Sequence, residues 1–447
     1  MTHGAGAHGE ALRGRGILLR WSALPDISFI ERGHIKRGAL MVRPDIKALR
    51  QRRSSLGRAI VFAGFGILVS ACTTADVLVP VPEGELSSAI IDPFKEIRFW
   101  ADEPASVYAA IEQKRVEKIR GVYGDTLRNK VVPLNYLCIS GGGSSGAFGA
   151  GFLVGWTKSG TRPQFNGVTG ISTGSMIAPL AFLGPRYDDK LKEAYTTIST
   201  DDVAKAQVLP ALLGKVSGLA DTTPLKKLIA RFLTQQMLDE IAVESRKGRV
   251  LLIGTTNLES QRPIIWDIGA IAESGHPQAL ALVREIILAS ASIPGAFPPV
   301  NVGVTVDGKP YNEMHVDGGV TRQVFLYPPT YSPLAIDRAI GWKPKRTAYI
   351  IRNNKIEPEY AVVKPKLISV AGRSIDTLIK SDGIGDLYRI YAIAQRDRVG
   401  YNYVSIPSDF NVPSKSAFDK VYMGALFEAG YNAALLSEPW KHEPPGL

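Results

Sequence analysis

Between Leu134 and Gly174 the chain runs twice from a short apolar segment into glycines, a serine and a small-residue stretch. The first pass reads Leu134-Asn135-Tyr136-Leu137-Cys138-Ile139-Ser140-Gly141-Gly142-Gly143-Ser144-Ser145-Gly146, and the second closes on Gly170-Ile171-Ser172-Thr173-Gly174. An apolar run that ends in glycines and reopens as a helix is a strand, a tight turn and a helix N-terminus, and such a turn presents bare backbone N–H groups to negative charge. Strands alternating with helices in this way predict a parallel sheet with helices on both faces.

Both passes fit G-x-S-x-G, in which flanking glycines let a serine stand on a sharp strand-to-helix turn with its hydroxyl exposed. The pattern alone does not choose between Ser144 and Ser172. Three consecutive glycines suit close backbone approach to a ligand better than they suit holding a nucleophile rigid. Ser172, in an elbow between Gly170 and Gly174, is therefore assigned as the nucleophile, and Gly141, Gly142, Gly143 and Ser144 as an oxyanion loop. The chemistry this describes is serine acyl hydrolysis.

A serine hydroxyl needs a base, and the usual one is histidine oriented by a carboxylate. Of six histidines, His3, His8 and His34 fall in the first forty residues, His276 precedes a helix, and His442 lies in a proline-rich tail. His315 shares a strand face with Asp317, where a structural role is the simpler reading. A carboxylate can serve instead if burial raises its pKa, and Asp317 in Asp317-Gly318-Gly319 is the candidate. Asp-Gly is equally a turn signal, so on spacing alone that alternative stays open.

The net charge of +11 suggests an acidic partner until its location is read. Residues 1–71 hold 12 Lys and Arg against 4 Asp and Glu, leaving 41 against 38 for the rest, so no basic nucleic-acid face is expected. Within that leader Arg50, Arg52, Arg53 and Arg58 precede an apolar run of eleven residues, Ala59 to Val69, too short to span a bilayer and right for a secretory signal. Val69-Ser70-Ala71-Cys72 resembles a bacterial lipobox, which marks Cys72 for lipidation as the first mature residue. Translation is expected to begin at Met41. The organisation expected is a leader over 1–71, a lipid-anchored linker and N-terminal helix over 72–130, and a catalytic domain over 131–447. The protein is then expected in the cell envelope, anchored at the outer membrane or the periplasmic face. Cys138, left without a partner, reads as a buried inert thiol, and two cysteines make no thiolate zinc site.

Prolines over 73–103 read as a tether, and residues 104–120 as an amphipathic helix. Residues 185–247 read as mostly helical. There Val208, Leu209, Leu212, Leu213 and Leu219 precede Lys226, Lys227 and Arg231, either as a lid or membrane-contacting surface or as ordinary core helices. Asp307-Gly308 predicts a hairpin turn, residues 293–300 a proline-fixed loop, and residues 366–396 long helical segments.

Taken together these residues resemble the patatin-like phospholipases. That family is described as Ser/Asp dyad enzymes on a sheet with helices either side, with a glycine-rich oxyanion loop, a G-x-S-x-G serine, an A-S-x-S-x-P-x-x-F-P-P loop and an aspartate in D-G-G or D-G-A. Here the motifs occur in that order as Ser140 to Gly146, Gly170 to Gly174, Ala289-Ser290-Ala291-Ser292-Ile293-Pro294-Gly295-Ala296-Phe297-Pro298-Pro299, and Asp317-Gly318-Gly319. The resemblance implies a three-layer α/β/α fold with a mainly parallel central sheet, a Ser172–Asp317 dyad, no metal or cofactor, and a membrane lipid as substrate. It departs at Ser140, where an aspartate is frequent, at Ser145, where a basic residue is frequent, and after Gly319, where asparagine and proline are common. The missing basic residue leaves neutral lipids and small esters open beside phospholipids. The competing readings are an acyltransferase using the same residues and a non-catalytic envelope scaffold, which the presence of both serine and aspartate disfavours.

Overall fold

Period-two alternation of apolar residues builds the central strands, because successive side chains point to opposite faces. The computed structural model describes residues 78–124, 130–212, 216–334, 337–338 and 341–447. The leader, Met41 and Cys72 lie outside the described residues. In chain order the elements that position the site are β1 (Arg98–Trp100), α1 (Ala105–Tyr123), β2 (Val131–Ile139), α2 (Gly146–Lys158), β3 (Gly167–Gly170) and α3 (Thr173–Leu183). They continue as β4 (Val250–Asn257), β5 (Arg262–Asp267), α4 (Ala279–Ser290), β6 (Val300–Val306), β7 (Lys309–Asp317), β8 (Lys343–Arg352), α5 (Leu367–Asp397), β9 (Gly400–Ser405) and α6 (Lys420–Ala433).

These nine strands form one mixed sheet. Its centre, β4-β3-β2-β8-β9, is parallel throughout, and β5, β1 and the β6–β7 hairpin add antiparallel pairs beside β4. Helices cover both faces, giving the expected three layers. On one face Leu137, Ile139, Phe148, Phe152, Ile177 and Phe427 belong to the larger core. On the other, Cys138, Ala348 and Ile350 pack against Leu387, Ile390 and Ile393 of α5. Alternation along β2 therefore feeds two cores, and Cys138 is fully buried, with its thiol pushed up to about 12 by burial.

Glycine sets one helix crossing. A Cβ on Gly151 of α2 would meet the Phe427 carbonyl of α6 at 1.9 Å, so the two backbones approach closely where the sequence shows only a run of small residues.

The described part of the proline-rich segment is not a free tether. Pro80 bridges to Asn312, Ile90 bridges to Thr305, and β1 pairs antiparallel with β5. Ile91, Phe94, Ile97 and Trp100 are buried. Proline removes donors but leaves apolar side chains to pack, and these do. The hairpin turn falls at Asp307 and Gly308, both at positive φ. The long helical segments expected over 366–396 are one helix, Leu367–Asp397, of 31 residues.

Candidate active site

The meeting of Ser172 and Asp317 follows from strand pairing. One edge of β4 pairs with β5, and the other is shared end to end by two strands. Along that edge β3 runs parallel and ends with Gly170 opposite Ile253, and β7 arrives antiparallel with Asp317 opposite Thr255. The two strands thus point at each other two residues apart along β4, roughly 7 Å of strand. The turn after Gly170 and the end of β7 must share the gap.

Ser172 occupies it with φ 53°, ψ −124°, the strained elbow conformation that an L-residue adopts only when its surroundings hold it. Glycines make the turn possible. A Cβ on Gly170 would meet the Gly174 carbonyl at 2.4 Å, and one on Gly174 would meet the Ile139 carbonyl at 2.3 Å. Ser144 has no positive φ and lies in a 3-10 turn, so the two matches to the same pattern have different backbones.

Asp317 is 4% exposed, and burial drives its carboxyl up to about 7. The Ser172 side chain and the Gly319 N–H, which donates to Asp317 at 2.7 Å, pull the other way and lose to desolvation. A second bond fixes the strand end, the Asp317 N–H donating to the Ser292 carbonyl at 2.9 Å.

The glycine loop lies over the elbow. Gly141 leaves the donor set, because its N–H donates to the Gln323 carbonyl at 3.1 Å. Its part is steric, since a Cβ there would crowd Gln323 Oε1 at 3.0 Å and Ser172 Cβ at 3.2 Å. The N–H groups of Gly142, Gly143 and Ser144 have no acceptor among the described residues. They are the unpaired donors of a helical first turn beside the serine.

Residues 137–328 match the family model described as patatin-like phospholipase. This segment is a patatin-like phospholipase domain. Among solved structures the chain is similar to VipD from Legionella pneumophila, at 12% identity over 68% of this chain and 66% of that one, with a TM-score of 0.34. It is also similar to the type III effector protein ExoU, at 15% identity over 68% of this chain and 53% of that one, with a TM-score of 0.18. The chain spans just under two thirds of the first and about half of the second. No curated protein matches the sequence.

Around the patatin-like site stand residues whose motifs were visible and whose tasks were not. Ser290 Oγ accepts the Ser172 N–H at 3.0 Å and donates to the Gly254 carbonyl at 2.8 Å, tying elbow to β4. Asn353, just past β8, donates through Nδ2 to the Ser140 carbonyl at 2.9 Å and accepts the Gly149 N–H at 3.0 Å. The Ser140 hydroxyl accepts the Asn353 N–H at 2.8 Å, so the residue standing where the family commonly has aspartate belongs to a closed, buried network. Gln323, in the segment that departs from the family pattern, joins the two loops. Its carbonyl holds Gly141, its Nε2 donates to the Gly319 carbonyl at 2.7 Å, and its N–H donates to Asp386 of α5 at 2.6 Å. No local signal in the sequence marks Asn353 or Asp386 as partners of this loop.

None of the three histidines among the described residues serves the serine. His315 is fully buried between the Thr255 hydroxyl and Glu313, each at 3.0 Å, and burial lowers its pKa while Glu313 opposes the shift. His442 pairs with Glu438, and His276 packs edge-on to Phe94. In the region read as lid or core helices, Thr223–Phe232 buries Leu225, Leu228 and Ile229 and leaves Lys226 and Lys227 exposed, the ordinary amphipathic arrangement. Leu213 and the side chains of Leu209 and Leu212 lie outside the described residues.

Proposed function

We propose that the domain hydrolyses lipid esters by a Ser172–Asp317 dyad. The match of residues 137–328 to the patatin-like phospholipase model supports lipid-ester hydrolysis in general. The observation that carries the dyad is a serine at φ 53° whose side chain acts on a buried aspartate with its carboxyl raised to about 7, beside three backbone donors without an acceptor among the described residues.

Ser172 Oγ attacks the ester carbonyl carbon, and its proton passes to the Asp317 carboxylate. The carbonyl oxygen becomes an oxyanion that accepts from the N–H groups of Gly142, Gly143 and Ser144. Collapse breaks the ester C–O bond, and Asp317 returns the proton to the departing alkoxide. Water then repeats the sequence on the acyl-serine, Asp317 taking its proton, and releases the fatty acid. A carboxyl with pKa near 7 suits both roles, since it is substantially ionised at neutral pH and protonated once it has acted. Cys72, once lipidated, holds the domain at the cell envelope beside its substrate.

The test compares wild type with Ser172→Ala, Asp317→Asn and Ser144→Ala on a short-chain chromogenic ester and on phospholipid vesicles, with fluorophosphonate labelling alongside. Ser172→Ala and Asp317→Asn should abolish turnover, Ser172→Ala should abolish labelling, and Ser144→Ala, which keeps its N–H, should retain both. Equal activity in all four proteins would refute the dyad, and an unlabelled, inactive wild type would favour the scaffold. Incorporation of labelled palmitate into wild type but not Cys72→Ser checks the anchor.

A further inference from the structure

Helix α5 is built inside out over its first half. Leu367, Ala371, Ile375 and Leu378 recur at helical spacing on one face, with Ile368 beside them. That face looks into solvent: Leu367 is 86% exposed and Leu378 68%. The polar face is the one that is engaged. Arg373 donates to the Glu359 carbonyl and Lys380 to the Glu357 carbonyl, while Lys380 also reaches the Glu359 carboxylate at 3.3 Å. These cations fasten residues 357–359 to the helix, and the following residues carry Tyr360 at 93% and Val362 at 82% exposure. A helix in water ordinarily does the reverse, and contiguous exposed apolar surface of this kind marks an interaction site.

Position says what the surface meets. The strap begins at the active site: Asn353 holds the Ser140 carbonyl and the Asn354 amide reaches the Gly141 carbonyl at 3.4 Å, directly before Lys355. The Tyr422 hydroxyl bonds Ser145 at 3.1 Å beside the glycine loop, and burial, with a smaller push from the Glu359 charge, raises its pKa. From Leu378 the helix runs eight residues, roughly 12 Å, to Asp386, which holds Gln323 between the two catalytic loops. Exposed Lys364 and Lys366 lie between the strap and the helix, complementary to anionic headgroups.

We propose that Tyr360–Val363 and the outward face of Leu367–Leu378 insert into a lipid bilayer and set the mouth of the Ser172 site against it. The proposal rests on the lipid-hydrolase reading and adds the surface by which the site reaches an insoluble substrate. An amphipathic helix lying in the interface buries its apolar face among the acyl chains near the headgroups, and its binding grows with apolar area and with anionic lipid.

The experiment uses the full chain carrying Cys72→Ser, so that no acyl anchor masks the effect, with and without Leu367→Glu and Leu378→Glu together. Both leucines are exposed, so the double variant should fold as the parent does. Val131→Glu, 70% exposed at the far end of β2, is the control. Binding is measured by flotation with ether-linked phosphatidylcholine vesicles, with and without phosphatidylglycerol. Turnover is measured on ester-linked vesicles and on a soluble short-chain ester. The double variant should lose about 10- to 100-fold in vesicle partitioning and a matching factor in vesicle turnover. It should keep wild-type turnover on the soluble ester, and Val131→Glu should match the parent in every assay. Unchanged partitioning would overturn the proposal, as would equal loss on the soluble ester, which would make the helix a structural brace. A concentration-dependent dimer that the double variant dissociates would assign the face to a second copy. If the parent floats with vesicles through these leucines yet hydrolyses no ester, the hydrolase reading fails while the surface stands.

Discussion

In the proposed dyad Asp317 would link activity and stability in opposite senses. Its folded-state pKa of about 7 lies above the ordinary 3.8, so the folded protein keeps a proton that the unfolded chain loses. Stability from this group is therefore highest below about pH 4 and declines as pH rises toward 7, above which it is constant. Activity runs the other way, because only the carboxylate accepts the serine proton. We expect kcat/KM to rise about tenfold per pH unit below a single limb near 7 and then to level off. Asp317→Asn should lose at least about 1000-fold in turnover yet resist denaturant better than wild type at pH 8, an advantage that disappears in acid. Ser290→Ala makes a contrasting case. It leaves the buried Ser172 N–H and Gly254 carbonyl unpaired at a cost of about 1–3 kcal/mol, and should lower both the urea midpoint and kcat with little change in KM. Ser172 and Asp317, the nucleophile and base of the proposed dyad, could be picked out in the sequence because each lies in a short motif. Ser290 could be seen as part of a motif but not given a task, since its partners are a backbone N–H and a carbonyl, which carry no residue identity.

The glycine loop, the proposed oxyanion hole, is a single turn held by distant partners, and its glycines are not interchangeable. A Cβ on Gly142 would meet the Asn353 carbonyl at 2.5 Å, whereas one on Gly143 would meet nothing within 4 Å although the residue sits at φ 56°. Gly142→Ala should displace the loop and cost about 100-fold in kcat, with near-UV and far-UV spectra like wild type. Gly143→Ala should show a smaller effect arising from backbone strain alone. Several regular elements were legible, because the glycine turns mark the ends of β2 and β3 and the helices that follow, and the 293–300 segment is broken by prolines. Two features were not. The three-glycine run alone could not reveal that Gly141 spends its donor on Gln323, because the acceptor lies far along the chain. Nor did the apolar stripe of α5 announce that it faces outward, since periodicity defines a face without saying which side is wet.

At the scale of the whole molecule, the segment before α1 is part of the sheet. Arg98 of β1 forms a buried ion pair with Glu313, and Glu313 bonds His315 on the strand that delivers Asp317. Burial alone would raise the Glu313 pKa, but His315 and Arg98 hold it down to about 2, so this contribution is present above about pH 4.5 and lost as pH falls toward 2. Arg98→Ala strands a buried carboxylate and should destabilise the fold by about 3–5 kcal/mol, measured by urea unfolding at pH 7. Composition could not give this, because prolines in 73–103 look the same in a linker and in a segment pinned by side chains.

The braces around Ser172 come from widely separated places: Gly141 near one end of the domain, Ser290 and Asp317 in its middle, Asn353 and Asp386 beyond. Contacts of such sequence separation form late in folding, since long loops must close before they bring any return. A growing chain that has emerged only as far as Asp317 already contains both members of the proposed dyad but lacks the groups that hold the glycine loop in place. On the proposed mechanism, competence to hydrolyse lipid esters would arrive only when synthesis has passed Asp386, and a prematurely released fragment would be a silent one.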